Sequence, residues 1–146
     1  MSTEREIDFE VLREPWNKYE LEDGAYIKSR YILTKFKQSG PDKQGRIKIG
    51  IDGQTITVVY NAPQSLKGTP FTGRYSPQEI KEAIEKEVSY KVISEEWNEY
   101  ITENGSKIRI KDDVIRISRT RLKDKNGDPI YFVEHSTLVH GTPPKR

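Results

Sequence analysis

The chain has 146 residues, a formal net charge of +2, no cysteine and two histidines. The missing cysteine excludes a disulfide framework, thiolate metal sites and a cysteine nucleophile. No apolar run reaches the roughly 18 residues of a membrane-spanning helix, and Ser2-Thr3-Glu4-Arg5-Glu6 lacks the apolar centre of a secretion signal, so the sequence leads us to expect a cytoplasmic protein without a membrane partner.

Ile7, Phe9 and Val11 alternate with Asp8 and Glu10, which predicts a half-buried strand over residues 7–13, broken by Pro15-Trp16-Asn17. Residues 19–22 then run into Asp23-Gly24, a dipeptide that tolerates the positive φ of a hairpin turn. Residues 25–37 form a long β-rich stretch, closed by Ser39-Gly40-Pro41-Asp42. Residues 46–51 alternate, Asp52-Gly53 is expected to turn the chain, and residues 55–60 return, completing a five-strand meander. Residues 61–75 have prolines and glycines without periodicity and read as a covering loop. Ser76-Pro77-Gln78-Glu79 combines an N-cap, a first-turn proline and a capping box. It predicts a helix over 77–87, with Ile80, Ala83, Ile84 and Val88 on one face, packed between two halves of the chain.

The next residues repeat the first ones. Residues 9–24 are echoed by residues 90–105, and Trp16 and Trp97 both lie in Glu-x-Trp-Asn-x-Tyr, at a spacing of 81. Strands are expected at 90–94, 99–103, around Ile108 and Ile110, and at 114–122. Asn104-Gly105 and Asn126-Gly127 supply turns, Asp112-Asp113 supplies a bulge or short turn, and residues 130–140 supply the last two strands. Charge repeats too: residues 1–25 and 75–105 each carry −5, while 26–74 carry +7 and 106–146 carry +5. The expected fold is therefore mainly β: two tandem five-stranded antiparallel units, either small barrels of SH3-like size or open rolled sheets, with one short connecting helix. The divisions are a first repeat over 7–62, linker and helix over 63–88, a second repeat over 89–141 and a tail over 142–146. Units of about 60 residues bury only about 60% of their unfolded surface, so the copies should pack on each other as an internal pseudo-dimer.

Three sets of residues bear on function. Trp16, Asn17, Tyr19, Trp97, Asn98 and Tyr100 offer aromatics and an amide to a ligand. The same residue types also suit a structural role, with tryptophan as a core anchor and asparagine setting a turn; that structural role is the expectation. Lys28, Arg30, Lys35, Lys37, Arg116, Arg119, Arg121 and Lys123 are spaced along strands so that a basic face could follow a nucleic-acid backbone, or serve as the solvated, edge-protecting face of a sheet. His135 and His140, five apart, point to opposite faces of a shared strand and do not suit a common metal ion. No phosphate loop, zinc-protease helix or nucleophile elbow is present, and no metal or cofactor is expected.

The expected function is a non-catalytic interaction or scaffold module in a larger assembly, with a protein partner or self-association, as a pseudo-twofold monomer or a homo-oligomer. One alternative is RNA or single-stranded DNA binding through the basic strands. Another is an enzyme with carboxylates such as Glu14 and Glu95 at the junction of the copies, which would require raised pKa values.

Overall fold

A computed structural model describes residues 4–142 of the chain. The first sheet holds β1 (Glu4–Ile7), β3 (Asn17–Leu21), β4 (Tyr26–Ser39), β5 (Lys48–Tyr60) and β7 (Tyr90–Ser94). The second holds β2 (Phe9–Arg13), β6 (Ile84–Glu87), β8 (Asn98–Thr102), β9 (Lys107–Lys123) and β10 (Pro129–Thr142). Both sheets are antiparallel and open, so of the two shapes expected the open sheets form and the barrels do not. Strand β4 takes β5 along one side and β1 and β3 along the other, and β3 takes β7; β9, β10, β6, β8 and β2 repeat that plan.

The leading strand of each copy is shared between sheets. The chain leaves β1 at Asp8, whose carboxylate accepts the Phe9 N–H at 2.9 Å, and enters the opposite sheet as β2. The single strand expected over 7–13 is thus two short ones. Ser89 makes the same crossing between β6 and β7 in the other direction. Each crossing is fixed by the turn of the other copy: Glu103 N–H donates to the Asp8 carbonyl and Glu22 N–H to the Ser89 carbonyl, both at 2.9 Å. Registers also recur at the same offset. Asn17 faces Ser29 and Asn98 faces Ile110, while Val11 faces Tyr100 and Val92 faces Tyr19. Gly24 (φ 94°), between β3 and β4, and Gly105 (φ 85°), between β8 and β9, adopt the left-handed conformation that each turn requires of its last residue.

Other expected elements are corrected by pairing. Asp52-Gly53 does not turn the chain; β5 runs through it, beside a bulge that leaves Thr34 of β4 unpaired. The matching bulge in β9 falls at Ile115, so Asp112-Asp113 lie inside one long strand, and residues 130–140 form part of a single strand rather than two. The long β4 and β9 hold these intervening residues extended because each is flanked by strands on both sides. Helix α1 (Pro77–Glu82) begins with the expected capping box, Ser76 accepting from Glu79 N at 3.1 Å and Glu79 accepting from Ser76 N at 3.0 Å. It stops at Glu82 because the following residues pair with β9 as β6. It also lies against β9 and β10 rather than between the copies. The tail expected over 142–146 lies outside the described residues except for Thr142, the last residue of β10.

The apolar core sits between the sheets in two clusters, each built from both copies. One joins Tyr19, Leu21, Ala25 and Ile27 of the first copy to Val88, Val114, Ile117 and Tyr131 of the second. The other joins Ile7, Leu33 and Phe36 to Tyr100, Ile108 and Ile110. At about 1.5–3 kcal/mol per fully buried large side chain, neither copy keeps its core without the other. Unfolding should therefore be one transition. In Trp97→Phe, reporting from Trp16, and in Trp16→Phe, reporting from Trp97, the denaturant midpoints for the two halves should coincide, and Ile117→Ala should lower both midpoints together, by a loss of about 2–5 kcal/mol in unfolding free energy; a separate, earlier transition in either half would refute the shared core.

Candidate functional site

The repeated Trp-Asn-x-Tyr segments lie where each copy's chain passes from β2 to β3 or from β7 to β8. Tyr19 and Tyr100, not the tryptophans, are the buried anchors, at 0% and 1% exposure. Each packs edge-on against the exchanged strand of the other copy, Tyr19 on Tyr90 and Tyr100 on Phe9, with ring centroids 5.7 Å apart. Trp16 and Trp97 are half-buried outside both clusters. A cation covers each ring: Lys28 Nζ lies 4.8 Å from the Trp16 centroid and the Arg109 guanidinium 4.7 Å from that of Trp97. The buried asparagines tie the copies together instead of closing a local turn. Asn17 accepts from Glu96 N at 3.0 Å and donates to the Asp112 carbonyl at 3.5 Å; Asn98 donates to the Tyr31 carbonyl at 2.8 Å and to the Tyr100 hydroxyl at 2.9 Å.

Each buried tyrosine closes a clasp on a glutamate of the other copy. Tyr100 O–H donates to Glu14 at 2.7 Å and Tyr19 O–H donates to Glu95 at 3.2 Å. Burial and then the adjoining carboxylate push both phenols well above their ordinary range. The two glutamates are therefore held in separate clasps and do not form one site. Glu14 also accepts from Leu33 N at 3.0 Å and has Arg30 at 3.7 Å. Glu95 has Lys111, the equivalent of Arg30, at 3.9 Å, but Asp113 stands where the first copy has Ile32. Burial and the neighbouring Asp113 push the Glu95 carboxyl up to about 7. The folded chain holds that proton more tightly than the unfolded one, so this carboxyl stabilises the fold fully below about pH 4.5 and the contribution is lost as pH rises through about 7. In Asp113→Asn, an NMR titration of Glu95 should show its midpoint dropping from about 7 toward 4.5, and the fall in stability across that pH range should shrink; an unmoved midpoint would make burial the whole cause.

Asp112, in the pair expected to supply a bulge or short turn, is instead a buried carboxylate within β9. It is 4% exposed and accepts three side-chain hydrogen bonds, from Thr55 at 2.8 Å, His135 Nδ1 at 2.9 Å and Thr137 at 3.0 Å. Burial alone would raise its pKa, but these donors hold it below the usual carboxylate range, and the bond to Asp112 raises that of His135. The group links β5 to β9 and β10 beneath an open cleft of about 640 Å³ bordered by Tyr31, Asp52, Gly53 and His135. At the offset of 81, Asp112 replaces Tyr31, a contrast visible in the sequence once the copies are aligned. His140 lies on β10 opposite Arg109, on the face away from His135. Among the described residues no group of three or more His, Asp or Glu is placed to hold a metal ion.

The basic candidates are largely occupied. Arg30 meets Glu14, Lys35 meets Glu6, Lys37 meets Asp52, Arg116 meets Glu87 and Glu134, and Arg119 meets Asp23 and Glu85. Lys28 covers Trp16. Arg121 and Lys123 have no ion pair among the described residues, and Lys123 lies under Gly68. The run from Arg116 to Lys123 is also split, because Arg116 and Arg119 are three apart in a strand and stand on opposite faces.

The structure offers another surface that residue types alone did not mark. Among the described residues, strands β2 and β7 each pair on one side only and form equivalent outer edges of the two sheets. Val11 and Val92 are 50% and 53% exposed, Leu12 and Ile93 54% and 52%. Register shifts leave Leu12 and Ile93 as bulges, which confine regular pairing to the residues before them. A hollow of about 380 Å³ beside β2 is bordered by Phe9, Glu10 and Glu103; its counterpart of about 350 Å³ beside β7 is bordered by Tyr90, Lys91 and Glu22. In comparisons with known protein families, curated proteins and solved structures, the chain matches none.

Proposed function

We propose that the chain is a non-catalytic interaction module that takes part in a larger assembly by accepting protein segments at the edges of β2 and β7. The observation that carries this reading is the pair of equivalent, one-sided edges with matching exposed aliphatic residues. An unpaired edge offers backbone donors and acceptors to another strand, while alternate side chains supply contact area. The two edges make such a module bivalent. The ion pairs that occupy most of the basic strand residues favour this reading over nucleic-acid binding.

A photo-crosslinking side chain placed at position 11 or 92 of the full chain, in its own cells, tests the proposal. Both positions should yield one protein adduct of defined mass, absent when the probe sits at exposed Lys125 in the β9–β10 turn. Recovery of nucleic acid alone, or no adduct at either edge, would reject the interaction reading.

A further inference from the structure

We propose that the occupant of each edge is a second copy of this chain, with β2 of one molecule pairing antiparallel with β7 of the next. This rests on the edge-interaction reading above and names its partner. The edges are equivalent in backbone and aliphatic residues but opposite in charge at one position: Glu10 of β2 corresponds to Lys91 of β7. Both side chains are exposed, and neither has an ion pair among the described residues. An antiparallel register that sets Glu10 opposite Lys91 also sets Phe9 opposite Val92 and Val11 opposite Tyr90. Opposed residues share a face, so the aromatic and aliphatic pairs fall on one side and the charge pair on the other.

Pairing like with like lacks this match. In the equivalent register, β2 against β2 brings Glu10 to Glu10, and β7 against β7 brings Lys91 to Lys91, and like charges directly opposite destabilise a sheet. The charge difference therefore selects β2 with β7. Because the bulges at Leu12 and Ile93 shorten each edge, every junction is small and association depends on concentration.

Sedimentation of the full chain from micromolar to near-millimolar concentration, at low and high salt, reads this directly. The mass should rise with concentration and fall with added salt. Glu10→Lys or Lys91→Glu should each weaken association about tenfold, and the double exchange Glu10→Lys with Lys91→Glu should restore it. Both positions are exposed, so each variant should keep the circular dichroism spectrum of the unaltered chain. A monomer at every concentration, unchanged association in the single variants, or no rescue in the double variant would overturn the proposal. A monomer that still gives a crosslink to a different protein at positions 11 and 92 would overturn self-pairing while leaving the edge-interaction reading in place; absence of any protein adduct would remove both.

Discussion

Everything in this molecule depends on the crossing of each copy's leading strand into the sheet of the other copy. At Asp8 and Ser89 the chain changes sheets, and the carbonyl at each crossing is held by the turn N–H of the opposite copy. The consequence is a core with no boundary between repeats, since each apolar cluster takes half its members from either copy. Two modules of a size that is marginal alone thus share one core, with no cysteine to staple them.

The duplication also acts as an internal control on electrostatics. Glu14 and Glu95 occupy equivalent clasps with equivalent tyrosines and equivalent cations, Arg30 and Lys111. They differ where Ile32 of one copy is Asp113 of the other, and the second carboxylate helps to hold a proton on Glu95 near neutral pH. A similar divergence separates Tyr31, whose hydroxyl occupies the space above Gly53, from Asp112, which binds His135. The second copy carries charge, at Asp112 and Asp113, where the first has Tyr31 and Ile32. At the edges the change is a reversal, from Glu10 to Lys91.

The strands around the repeated motif, both glycine turns and the capping box at Ser76 were legible because each depends on neighbours within a few residues. The helix was overextended for a related reason. Ile80, Ala83 and Ile84 fit a helical face, yet Ile84 also begins a strand, and pairing with β9 decides between the two. Asp52-Gly53 is a good turn by residue type, but β4 continues alongside and keeps β5 extended. The tryptophans were misplaced because size suggests burial, whereas the chain gives the interior to Tyr19 and Tyr100 and leaves each indole under a cation.

The sequence by itself determined the duplication, its offset, the predominance of antiparallel strands and the expectation that two small units must share a core, because repeated residue types and alternating hydrophobicity are local properties of the chain. Only the tertiary structure decided that the leading strands are exchanged, that Glu14 and Glu95 are gripped by tyrosines of the opposite copy, and that β2 and β7 are left as edges. Those outcomes depend on which distant strands meet, and residues far apart in the chain acquire partners, buried charge or free edges only when the sheets assemble.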